Sequence, residues 1–408
     1  MDKLDRKTDQ FLKKWAGLPR CATPAVLHLN TAVNIKKIST LYYETHAVTH
    51  CSTRLKGDRK VNLVIDNKLE RESQYIRTQS VTVLSEQTYQ SALNRNLVQG
   101  EIPTNPADLT LSSGPVLTLP DTGPSFQFVS EVKQDAKTQI ISDDKEHTYE
   151  HVRTLVKQGK ILELSYLEQS DATWKSYLFN LPKGTMKFLL NAQLDTLPTK
   201  ANLKQWGKRT SENCFCGQKQ TLNHILNCCK RALDDGRFTF RHDSILAYIS
   251  NCLDREKFVV YVDIEGSKTA AGGTMPPEAA VTNLKPDIVI LDRKTKTLSI
   301  FELTVPNESR IEVSHNLKAE KYQHFLTDVT QFKPFVIPFE IGSVSGHISL
   351  ENKPRIAKIH KFCKPNIKLK NFMQNISAIS VLSSYYIFNC RNTELWDTPN
   401  FIPAPFKQ

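Results

Sequence analysis

Apolar positions in the first hundred residues recur at helical spacing. Leu4, Phe11, Leu12 and Trp15 form one such set, with Lys13 and Lys14 beside them, and 32–43 repeats the pattern. Residues 1–100 are therefore expected to be mainly helical. Five prolines follow (Pro103, Pro106, Pro115, Pro120 and Pro124) among Ser, Thr and Gly. They forbid regular helix, so 101–142 reads as a linker. A charged helix is expected to resume over 143–166, and an apolar one near 185–194, ended by Pro198. RFTFRHDSILAYISNCL, from Arg237, reads as a short extended piece entering a helix. The period then changes. FVVYVDI, KPDIVIL and TLSIFELTV read as strands, short apolar runs bounded by polar and turn residues. After Pro306, Ser309 and Glu312 have the spacing of a capping box, and the helix they start is expected to reach about Val329. FKPFVIPFEIG reads as a further strand. The tail from 351 is basic, then apolar again over 376–388. The pattern is α+β, with a small α/β unit late in the chain.

Charge narrows the partners. Lys and Arg outnumber Asp and Glu by 54 to 42, a net +12 over 408 residues. That surplus suits a polyanion, because each neutralised phosphate releases counterions. The charged opening MDKLDRKTDQ predicts no secretory signal, and no run approaches the ~20 apolar residues of a membrane helix, so no membrane partner is expected. Nine cysteines is an odd number, and several cluster. Clustered cysteines without a secretory signal point to metal or to reduced thiols.

The cluster reads Cys214-x-Cys216, then His224, then Cys228-Cys229. Four soft or borderline ligands in so short a segment suit tetrahedral zinc in a structural, closed site. TLNHILNCC reads as helical, which favours Cys228, one turn after His224. Cys229 is the other candidate for the fourth ligand.

A second constellation lies at 285–304. A hairpin centred between Lys294 and Thr295 sets Asp287 directly opposite Glu302 and Lys285 opposite Thr304. Like charges directly opposed destabilise a ladder. A bridging cation removes that repulsion, and Mg2+ takes carboxylate oxygens. Such a cation polarises a phosphodiester and lowers the pKa of water. Lys318 and Lys321, three apart on the next helix, are candidates to stabilise charge on the phosphate.

RHDSIL, KPDIVIL, FELTVP and KAEKY, in that order, resemble the endonuclease of site-specific non-LTR retrotransposons, a domain of the PD-(D/E)XK superfamily that includes type II restriction enzymes and Holliday-junction resolvases. KKWAGLPRCATPAVLHL is similar to the thumb that follows a reverse-transcriptase palm. MKFLLNAQLDTLP and the knuckle resemble the linker between polymerase and nuclease, and ISVLSSYYIFNCRN resembles the family's usual end. The resemblance spans nearly the whole chain. It implies a helical thumb-like region (1–100), a linker (101–142), a helical linker domain (143–210), a zinc knuckle (211–236), a restriction-endonuclease-like core with a central mixed sheet (237–350) and a basic and apolar C-terminal extension (351–408).

The implied activity is Mg2+-dependent (or Mn2+-dependent) DNA nicking in target-primed reverse transcription. The implied partners are target DNA and element RNA, and the implied place is the nucleus. Asp287 and Glu302 would bind the metal. The family's lysine two residues after the glutamate is missing, since Thr304 stands there; its role would pass to Lys318, Lys321 and Tyr322. Arg241, His242 and Asp243 match an Arg-His-Asp/Asn motif, with Asp243 an accessory acid or the cap of the helix it precedes. The knuckle ligands implied are Cys214, Cys216, His224 and Cys229. Neither Asp143-Asp144 nor Asp234-Asp235 sits in a Tyr/Phe-Ala-Asp-Asp setting, so no polymerase activity is expected. The alternative is a catalytically inactive, zinc-dependent remnant. It would hold nucleic acid through the knuckle and through Lys353, Arg355, Lys358, Lys361, Lys364, Lys368 and Lys370.

Overall fold

A computed structural model describes residues 2–29, 32–73, 80–99, 126–160, 173–264, 273–279, 284–322 and 331–407. The chain divides into two compact units, 1–11 with 34–151, and 12–33 with 152–408. No helix among the described residues is long and apolar enough to cross a membrane.

The opening segments are helical as expected: α1 (Asp2–Ala16), α2 (Ala25–His28), α3 (Ile38–Leu55), α4 (Arg59–Ser73) and α5 (Val81–Gln99). The apolar set on α1 is not a buried stripe, however. Leu4, Phe11 and Trp15 are exposed. Helix α6 (Phe126–Arg153) corrects the expected linker, because 126–142 are helical. The proline-rich 101–125 lie outside the described residues.

In the first unit, Cys51 and Leu55 of α3, Tyr89, Ala92 and Leu93 of α5, and Val132 and Ala136 of α6 form a core. Beside it Glu86 accepts hydrogen bonds from His50, from Arg54 Nε at 2.8 Å and from Gln90 Nε2 at 2.7 Å. Burial pushes its carboxyl up, but these bonds and the Arg54 charge prevail and hold it down at about 2. A depressed folded pKa stabilises above the unfolded value of 4.5, and that stability is lost as pH falls from there through about 2. With solvent screening of this partly exposed carboxylate, the contribution is about 1 kcal/mol at neutral pH. Amide exchange of α3 and α5 is expected to accelerate across that window, and Glu86→Gln to flatten the pH dependence. An unchanged slope in the variant would refute the assignment.

The second unit continues with α7 (Lys183–Gln193), α8 (Lys200–Gln205), α9 (Lys230–Asp234) and α10 (Arg237–Cys252). Residues 237–252 are helical throughout, which corrects the extended start. Gly236, at φ +73° in the left-handed region, turns the chain into α10 from its first residue. Asp243 is therefore interior to a helix and caps nothing.

A mixed sheet follows. Strands β1 (Val259–Val262), β2 (Ile288–Asp292) and β3 (Thr297–Thr304) pair antiparallel in sequence order. β4 (Lys333–Glu340) joins β3 in parallel after the helix α11 (Ile311–Lys321). Pro334 and Pro338 are tolerated in β4 because it is an edge strand. The expected capping box is absent. Asn307 accepts from Ser309 N at 3.2 Å and starts a single 3-10 turn, from which α11 continues. The expected end of that helix near Val329 falls outside the described residues.

The C-terminal residues are no appendage. Helices α12 (Asn352–His360) and α13 (Leu369–Asn389) complete the main core. Ile356, Ile359, Phe372, Ile376 and Ile379 pack there with Ile245 and Ile249 of α10, and with Ile288, Ile290, Phe301 and Leu303 of the sheet. Phe372 is core, and Phe362 packs against it. One face of α13 is fully buried yet carries Ser377, Ser380 and Ser384. Their hydroxyls donate to the carbonyls of Gly346 at 2.7 Å, Gly342 at 2.9 Å and Ser343 at 2.6 Å. At Gly346, a Cβ would lie 2.4 Å from Ser377 O, so the loop rests directly on the helix.

Candidate functional site

The β2–β3 turn fixes the first site. Asp292 Oδ1 accepts from Lys294 N at 2.9 Å and Thr295 N at 3.3 Å, closing an Asx turn. The resulting register pairs Ile288 with Phe301 and Val289 with Ile300. Carried one residue back, it sets Asp287 opposite Glu302, as the sequence pattern requires.

The two acids are locked into each other's backbone. Asp287 N donates to Glu302 Oε1 at 3.0 Å, and Leu303 N donates to Asp287 Oδ2 at 2.7 Å. Lys318 Nζ, from α11, donates to Glu302 Oε2 at 2.7 Å. From α10, His242 Nε2 lies 3.3 Å from Asp287 Oδ2, while its Nδ1 lies 2.9 Å from Asp243 Oδ1. Burial and the Asp287 charge push Glu302 up, against the pull of Lys318. Burial would push Asp287 up as well, but the hydrogen bond and charge of His242, with Lys318, hold it below its usual range. Burial would lower His242, but Asp243 and Asp287 raise it to about 10. The pair thus divides the labour of ionisation, with Asp287 the firmer anion.

Most of the other sequence candidates fall elsewhere, Tyr322 excepted. Lys321 is exposed, and its ammonium lies over the Tyr322 ring, 5.0 Å from the centroid. Tyr322 is core yet stays with the acidic pair: its hydroxyl donates to Lys285 O at 3.3 Å and also hydrogen-bonds Glu302. Lys285 is exposed and makes none of the bonds to the acidic pair. Thr304 Oγ1 is buried with no hydrogen-bond partner among the described residues. Arg241 turns away from His242 and is buried. It donates to Ser384 Oγ and Asn227 Oδ1, both at 3.3 Å, and to Val305 O at 3.1 Å. Burial pulls it down to about 10, opposed by the charge of Glu308. Asn227, the knuckle's contact to this arginine, carries no sequence signal beyond its place in the knuckle. Of the basic tail, Arg355 pairs with Glu340 at 3.6 Å, while Lys358, Lys361, Lys364, Lys368 and Lys370 are exposed.

The second site is the knuckle. Cys214, Cys216, His224 and Cys229 bring their ligand atoms within 4.8 Å of one another, and among the described residues they are the group of three or more Cys, His, Asp or Glu side chains that could hold a metal ion. Cys214 Sγ lies 3.8 Å from Cys229 Sγ, Cys229 Sγ 3.9 Å from Cys216 Sγ, and Cys216 Sγ 3.3 Å from His224 Nε2. Tetrahedral thiolates at a Zn–S distance of ~2.3 Å stand about 3.8 Å apart, so the donor set is compatible with zinc. A turn with Gly217 at φ +84° brings Cys214 and Cys216 to one side.

The structure also settles the fourth position. His224–Cys228 form a single π turn rather than α-helix. The wider turn carries Cys228 outward, where its sulfur meets Asn223 Nδ2 at 3.7 Å, and Cys229 closes the group. Burial pushes the Cys229 thiol up to about 11, with the Cys214 charge adding to it. A dication reverses that balance.

The acidic pair offers a smaller donor set. Among the described residues no hydrogen bond falls on Asp287 Oδ1, and a carboxylate oxygen beside a second carboxylate suits a hard dication. Against protein-family models and against curated proteins, no match to this chain is found.

Proposed function

We propose that the chain is a metal-dependent DNA-nicking endonuclease of the non-LTR retrotransposon type, a PD-(D/E)XK nuclease stapled by a zinc knuckle. Its partners would be target DNA and element RNA, in the nucleus. The observation that carries this reading is Asp287 facing Glu302 across the hairpin with Lys318 on the second acid. Asp287 and Glu302 would hold Mg2+ or Mn2+. A divalent cation there neutralises charge on a phosphate and favours attack by water. Lys318 stands where a donor can follow charge onto the phosphate, in the place of the lysine that Thr304 displaces.

Lys318→Ala is expected to slow nicking about a hundredfold. Lys321→Ala is expected to leave it within about twofold, since its ammonium is engaged with Tyr322. Equal loss in both variants would break the assignment. The second reading, an inactive nucleic-acid-binding remnant, draws on the same contacts, because His242 and Lys318 already face the two carboxylates. Nicking of supercoiled plasmid in Mg2+ or Mn2+ decides between the two.

A further inference from the structure

We infer that His242, itself oriented by Asp243, is a positioning residue that clamps Asp287 so that one oxygen, Oδ1, is presented to a divalent cation. This rests on the nuclease reading. A lone carboxylate can rotate and exchange its two oxygens. Here Oδ2 has two neighbours that prevent it, Leu303 N at 2.7 Å and His242 Nε2 at 3.3 Å. The imidazole is fixed from behind by Asp243 Oδ1 at 2.9 Å, on a side chain only 5% exposed. Both ring nitrogens thereby face carboxylate oxygens. The helix bearing it is tied to the end of β3 by Arg241, whose Nη2 donates to Val305 O at 3.1 Å. The distance between α10 and the acidic pair is set independently of any cation. Outer partners of this kind orient ligands, and their loss typically weakens metal affinity or activity ~10–100-fold.

The test is Mn2+ binding to the full, zinc-loaded chain, followed by electron paramagnetic resonance of the free ion. His242→Ala is expected to weaken binding roughly 10–100-fold. His242→Gln, whose amide can still donate toward Asp287, should recover part of it, and Asp287→Ala should remove it. In nicking assays the metal concentration for half-maximal rate should shift by the same factor, with kcat at saturating metal within about threefold. Zinc content and circular dichroism confirm that each variant is folded. Unchanged Mn2+ affinity in His242→Ala overturns the inference. So does a collapse of kcat with unchanged metal dependence, which would place the imidazole among the reacting atoms. Wild-type protein that binds Mn2+ without nicking defeats the nuclease reading alone. Wild-type protein that binds no Mn2+ defeats both.

Discussion

Asp287→Asn is expected to lower the rate of metal-dependent plasmid nicking on the order of a thousandfold or more, while DNA affinity measured by anisotropy without metal stays near that of the wild type. The asparagine is isosteric, and its carbonyl can still accept from Leu303 N, so the hairpin should survive. What disappears is the negative charge that His242 and Lys318 hold in place. Alanine would confound that loss by stranding the Leu303 amide, which makes asparagine the sharper variant. Supercoiled plasmid converting to open circles at the wild-type rate would end the proposal that this carboxylate takes part.

The second large effect is expected at the knuckle. Cys229→Ser should take zinc content from about one ion per chain to near none and lower Tm by on the order of 10 °C. Cys228→Ser should change neither. The asymmetry follows from burial: Cys229 is interior, whereas Cys228 is exposed. Metal analysis with calorimetry on the two variants reads it directly. The reverse pattern, with Cys228→Ser losing the ion, would mean that the π turn is not the bound conformation. Since Asn227 of that turn accepts from Arg241, loss of the ion should also loosen the helix carrying His242.

How far the sequence reached depends on whether local pattern or tertiary context decides. The hairpin is legible because a polar turn between two apolar strands fixes the register, and that register brings Asp287 to Glu302. Four strands and the helix at 183–193 followed for the same reason. RFTF misled because its alternation mimics a strand; Gly236 and the burial of Phe240 override it. The choice between Cys228 and Cys229 was illegible to helical geometry, which assumes 3.6 residues per turn where the chain uses a wider one. Lys318 and Lys321 looked equivalent, and only the placement of α11 separates them. The serines of α13 carry no local signal, because serine reads as solvent-facing and their acceptors lie 31–41 residues away.

The position of α13 at the back of the sheet also bears on how the chain is made. Phe301 and Leu303 leave the ribosome well before Phe372, Ile376 and Ile379, the side chains that cover them. At ~5–20 residues per second the interval is roughly 4–16 s. Throughout it the apolar sheet has neither its final lid nor the hydroxyls that fasten the 342–346 loop. The second unit stays unfinished until its last long helix has emerged.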